Sequence, residues 1–185
     1  MTNPRKRNFL LKDTVQEQQR RVALGPGEYY ASDEKVVIST LLGSCVAACL
    51  YDPIHRIVGM NHFLLTDGIG EDGMSVCDID PGKYGTCSMD FLIDDMLKLG
   101  AEHKNLHAKV FGGGSMFKPF EECRLGHCVG NMNGIFVLEF LKKERIHVVS
   151  KDLGGEKGRA IHFFPDNYAV YVRKIKNRTE RFSDF

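Results

Sequence analysis

In the stretch LLGSCVAACLYD, residues 41–52, one cysteine follows Leu-Gly-Ser directly and a second lies four positions on. A cysteine nucleophile needs a thiolate, a nearby base, and hydrogen-bond donors for the oxyanion of acyl transfer. Gly43 and Ser44 can turn the backbone tightly enough for the amides around Cys45 to converge on one point. His62, in GMNHFLL at 59–65, is a candidate base. A thiol in this setting is expected to react well below the pH of a free cysteine, with Cys49 slow. Taken singly, Cys45, Cys49 and His62 each read as ordinary packing residues. They become a candidate site because one short hairpin would bring Cys45 and His62 together.

Other patterns carry less. His103 and His107 are four apart, and Cys123, His127 and Cys128 are close in sequence, which leaves a zinc site open. No C-x2-C pair occurs, and the expectation is no metal and no cofactor. Gly112-Gly113-Gly114-Ser115 lacks the lysine interval of a P-loop and the spacing of a dinucleotide fingerprint. It reads better as a strand-ending turn that lets backbones approach closely. Arg159, after Gly158, reads as a surface cation rather than an anion clamp.

The elements that would position these residues follow from periodicity. VVIST from Val36, then CVAACLYD, a turn at Asp52-Pro53, and IVGMNHFLL read as strands, the last two as a hairpin carrying His62 back toward Cys45. Alternatively, Cys45 opens a short helix through Ala47-Ala48, with the thiol at its N-terminus. TCSMDFLIDDMLKLGA reads as a helix capped at Thr86 or Ser88 and stopped at Gly100, and Gly134 to Arg145 as a second, with Ile135, Leu138 and Leu141 on one side. LHAKVFGGG, IHVVSKDLGG, RAIHFFP and YAVYVRKI add strands, the last two paired through Asp166-Asn167. The class expected is α/β: a single domain with a mixed β-sheet and helices packed mainly on one side.

The division expected is a polar, flexible segment over 1–26, a folded domain over 27–175, and a charged tail over 176–185. With 185 residues and 43% hydrophobic content the chain can bury a real core. Its 25 basic and 24 acidic residues leave a net charge of +1, which argues against general attraction to nucleic acid or acidic lipid. Neither a membrane-length apolar run nor a signal-peptide pattern is present, so the compartment expected is the cytoplasm. On that footing the six cysteines read as reduced thiols.

Taken in order, LLGSCVAACLYDP, GMNHFLL, PGKYG, KVFGGGSMF, VGNMN and DLGGEKGR resemble the CheD family of bacterial chemotaxis proteins, the chemoreceptor glutamine deamidases. The resemblance spans most of residues 27–175. It implies an amidohydrolase that converts glutamines to glutamate on the cytoplasmic helices of chemoreceptors (methyl-accepting chemotaxis proteins). It also implies that Cys45 is the nucleophile and His62 the catalytic histidine. The family's third residue is a threonine shortly before the cysteine, a position for which Ser39 and Thr40 are both candidates. A further implication is a partner, since members of the family associate with the CheC chemotaxis phosphatase, and a non-catalytic regulatory role is the alternative reading. The N-terminal extension, Cys77, Cys87, Cys123, Cys128 and the stretch ECRLGHC depart from a minimal member.

Overall fold

A computed structural model describes residues 19–66, 82–115 and 128–175. Nine strands and two α-helices are described: β1 (Arg21–Leu24), β2 (Tyr29–Ser32), β3 (Val37–Leu42), β4 (Val46–Asp52), β5 (Ile57–Asn61), α1 (Gly85–Lys98), β6 (His107–Gly112), α2 (Val129–Lys143), β7 (His147–Leu153), β8 (Gly158–Phe163) and β9 (Val170–Ile175). They form two mixed sheets, ordered β1-β3-β8-β9 and β2-β5-β4-β6-β7. The α/β class expected is observed, with the strands divided between two sheets.

Three layers result. One face of the five-stranded sheet presents Val46, Ala48, Leu50 and Ile57 to Met89, Leu92, Met96, Val137 and Leu141 of the helices. The other face presents Ala47, Cys49, Tyr51, Val58 and Met60 to Ile38, Leu42, Ile161 and Phe163 of the four-stranded sheet. Both helices therefore cover one side. β4 lies between β5 and β6, and all seven of its residues are buried. A strand covered on both faces shows a continuous apolar run instead of alternation, which is why CVAACLYD reads ambiguously as helix or strand; the structure makes it a strand.

Local chemistry sets the boundaries. The buried Asp52 carboxylate ends β4 by accepting the N–H groups of Ile54 (2.8 Å), His55 (3.0 Å) and Glu102 (2.9 Å), with His55 Nδ1 also 2.8 Å away. Gly100, at φ +106°, stops α1 as expected, with Ala101 N–H bonded to Met96 O and Gly100 N–H to Leu97 O. The start of α1 differs from the expected Thr86 or Ser88 cap: its N-cap is Tyr84, with no side-chain bond, and Ser88 is buried within the helix. α2 begins at Val129 rather than Gly134, and its buried face is Gly130, Asn133, Gly134, Val137 and Leu141, whereas Ile135 is 48% exposed. Glycine and asparagine occupy the inward positions there, so apolar periodicity misses them.

The fold also extends upstream of the expected start at Gly27. β1 pairs in parallel with β3 and buries Leu24 in the core; a strand of four residues with exposed Arg21 and Ala23 carries little periodic signal. The reduced-thiol reading holds for Cys45 and Cys49, but Cys87 and Cys128 are disulfide-bonded. Compartment reasoning carries no geometry, and both half-cystines sit at helix starts. Cys77, Cys123, His127 and the 176–185 tail lie outside the described residues.

Candidate active site

The chain passes from one sheet to the other between Leu42 and Val46, and Cys45 is the last residue of that crossing. Each carbonyl of the turn is tied down. Gly43 O accepts Gly114 N–H at 2.8 Å, Cys45 O accepts Gly113 N–H at 2.8 Å, and Ser44 O accepts Asn133 Nδ2 of α2 at 3.1 Å. The glycine run is needed for this approach. A Cβ on Gly112 would sit 2.2 Å from Cys45 O, and one on Gly113 would sit 2.6 Å from Gly130 O. The close-approach reading of Gly112 to Gly114 therefore holds.

β4 and β5 are antiparallel, and beyond β5 the pairing continues at Val46 and Phe63, whose N–H and C=O groups exchange bonds of 3.1 and 3.0 Å. This register sets His62 opposite Ala47 and Cys45 opposite Leu64. Cys45 and His62 are thus diagonal neighbours across the hairpin, a relation that side chains of this length can span. Residues 24–28 hold His62 in place: Gly27 N–H bonds His62 O at 2.8 Å and His62 N–H bonds Glu28 O at 2.9 Å.

Thr40 and Ser39 point to opposite faces of β3. Thr40 is buried between the sheets, its Oγ1 2.8 Å from His62 Nδ1, while Ser39 Oγ is 2.8 Å from His162 Nδ1. The Thr40 hydroxyl donates to Leu24 O at 2.7 Å. Its single proton is then engaged, so toward His62 it accepts, and Nδ1 carries the imidazole proton. The unprotonated nitrogen is Nε2, which is buried and has no hydrogen-bond partner among the described residues.

Burial governs the charges. It pushes the half-buried Cys45 thiol above its ordinary range, against the opposing pull of its own backbone amide. It lowers His62, against the Leu24 carbonyl and the Glu28 carboxylate. Burial thus favours the neutral thiol and the neutral imidazole, opposite in direction to the acidic thiol expected from the sequence. Cys49 is fully buried and its thiol is raised much further by burial, which Lys109 only partly offsets.

The other candidates have structural partners. His103 Nε2 lies 3.3 Å from Glu144 Oε2, and His107 bonds Asn105 O and stacks on Tyr51. No group of three or more metal-binding side chains forms among the described residues. Arg159 is 1% exposed rather than a surface cation: it bonds Asp152 Oδ1 and the carbonyls of Gly154 and Lys157, closing the loop beside Gly112 to Ser115. A charged residue after a single glycine carries no sequence sign of burial. Two participants escape sequence reasoning, the Leu24 carbonyl and Asn133. The latter left one signal, a carboxamide at helical spacing from Gly130 and Val137 on an otherwise inward face.

Comparison with known proteins places the chain in a family. A family model described as CheD chemotactic sensory transduction matches residues 71–174, a span that begins after Cys45 and His62. The relatives reach across both. A probable chemoreceptor glutamine deamidase CheD 1 of Geobacter sulfurreducens is 46% identical over 155 residues, covering 84% of this chain and 77% of its own length. The corresponding CheD 2 of Shewanella oneidensis is 45% identical over 160 residues, with coverage of 86% and 79%. That of a Janthinobacterium species is 43% identical over 151 residues, with coverage of 82% and 71%. With one half matched by the family model and most of its length by these relatives, the chain belongs to the CheD family.

Proposed function

We propose that the protein is a protein-glutamine deamidase that hydrolyses side-chain amides of chemoreceptor glutamines to glutamate, in the cytoplasm, with Cys45 as nucleophile, His62 as base and Thr40 as the residue that orients it. The names of the relatives support the reaction class. The observation that carries the mechanism is the chain Leu24 O, Thr40 Oγ1, His62 Nδ1, which leaves Nε2 as the lone-pair nitrogen.

The steps follow from that tautomer. His62 Nε2 takes the Cys45 thiol proton as sulfur attacks the amide carbon, and backbone amides at Ser44 and Cys45 receive the oxyanion. The imidazolium gives the proton to nitrogen, the C–N bond breaks, and ammonia leaves a thioester. His62 then deprotonates a water that attacks the thioester; the C–S bond breaks, the thiol recovers the proton, and glutamate is the product. Because the resting pair is neutral, the proton moves as substrate engages. Ser39, on the other face, has no part in this relay. The new carboxylate adds a charge to the receptor helix, which shifts its packing by the same logic as other charge-changing modifications.

The test is incubation with chemoreceptor cytoplasmic fragments and mass spectrometry for glutamine-to-glutamate conversion, beside Cys45→Ala and His62→Ala. Conversion by wild type and its loss in both variants is the expected result. An inert wild-type protein that still stimulates a CheC-type phosphatase would replace this reading with the regulatory one.

A further inference from the structure

Asn133 belongs to α2, far in sequence from Cys45 and His62, yet its carboxamide meets the catalytic turn. It is fully buried. Nδ2 lies 3.1 Å from Ser44 O and 2.7 Å from Leu64 O. Both partners are carbonyl oxygens, so the amide nitrogen faces them and spends both its hydrogens, one on each.

Those two carbonyls are specific choices. Leu64 stands opposite Cys45 in the register set by the Val46–Phe63 bridge. Ser44 O belongs to the peptide unit whose other end is the Cys45 N–H. That unit is planar and trans, so its C=O and N–H point in opposite directions. Fixing the oxygen on α2 therefore fixes the direction of the Cys45 N–H. The Gly113 and Gly114 bonds hold the flanking peptide units but not this one.

We infer that Asn133 is a positioning residue of the reaction: its carboxamide aims the Cys45 N–H at the oxyanion and holds the nucleophile's turn to the strand that carries His62. Neither aspartate, with no hydrogen to give two carbonyls, nor alanine can do this. The inference rests on the deamidase reading. It separates two chemistries at one sulfur, because amide hydrolysis develops an oxyanion whereas alkylation by iodoacetamide does not.

The test uses Asn133→Ala and Asn133→Asp in the full chain, with deamidation of receptor fragments and iodoacetamide labelling of Cys45 read by peptide mass mapping. Expected is a fall in kcat of about 10- to 100-fold, short of or near the loss of a whole oxyanion donor. KM and the labelling rate of Cys45 should stay within about twofold. Unchanged deamidation overturns the role. So does a parallel loss of deamidation and labelling, or failure of both variants to fold, since either makes Asn133 purely structural. A wild-type protein that deamidates nothing defeats the deamidase reading itself and this inference with it.

Discussion

Thr40 Oγ1 lies 2.8 Å from His62 Nδ1 and donates its own proton to Leu24 O, so a strand residue and a main-chain carbonyl decide which nitrogen of the imidazole is basic. Thr40→Val keeps the shape and removes the relay. Its rate of receptor-fragment deamidation should fall about 100-fold, the lower end of what positioned acid–base catalysis contributes. Thr40→Ser should retain most activity, and Ser39→Ala should stay within about twofold of wild type, since its hydroxyl faces His162. Equal losses in Ser39→Ala and Thr40→Val would reject the assignment.

The pH dependence follows from burial at both partners. His62 sits below its ordinary value and Cys45 above. The active form, neutral in both, therefore persists from below the usual histidine range up to the alkaline range. kcat/KM should decline on the acid side only as pH falls through the lowered His62 value. Cys45 alkylation should rise with pH to a midpoint above that of a free thiol, about 8.5, and Cys49 should be slower at every pH. An alkylation midpoint for Cys45 near 6 would mean a resting thiolate–imidazolium pair instead.

Much of this was legible in residue order. The Gly-Ser-Cys turn, the hairpin returning His62 and the glycine run at 112–114 follow from turn chemistry and strand propensity, which act locally. What stayed hidden acts across the fold. Thr40 and Ser39 are equivalent by sequence because the phase of β3 depends on which sheet covers it. β1 has too few residues for periodicity, although its Leu24 carbonyl closes the relay. Asn133 breaks an apolar helix face, and only the crossing turn packed against it gives the reason. Burial at Cys45, which opposes the acidic thiol read from its turn, is likewise a tertiary quantity.

Asp52 should link stability to pH. Burial alone would raise its carboxyl, but the N–H groups of Glu102, His55 and Ile54 and the His55 ring outweigh this and hold it far below the usual range. A carboxyl more acidic when folded contributes stability above its unfolded value, about 3.9, and loses it as pH falls through the lower folded one. Asp52→Asn should cost about 1.5–3 kcal/mol near pH 7 in denaturant unfolding, the range for hydrogen bonds to a charged group. The gap from wild type should narrow as pH drops below about 4. A gap that stays constant to pH 2 would show that the carboxylate charge is not what matters there.

Two glycines with positive φ separate backbone strain from close approach. Gly155, at φ +76°, has open space where a Cβ would project, so Gly155→Ala carries only the conformational cost, about 1 kcal/mol. Gly112, at φ +117°, would place its Cβ 2.2 Å from Cys45 O and 3.0 Å from Val46 Cα, both backbone atoms that cannot swing aside. Gly112→Ala must therefore displace the turn that carries Cys45 as well as strain its own backbone. Its unfolding temperature should drop by about 6–12 °C, for a cost near 3 kcal/mol in a chain of this size. Its kcat should drop further than Asn133→Ala, because the whole turn moves rather than one peptide plane. Gly155→Ala should keep near-wild-type kcat. If Gly112→Ala proves as stable and active as Gly155→Ala, the Cys45 turn is not braced by the strand-ending glycines.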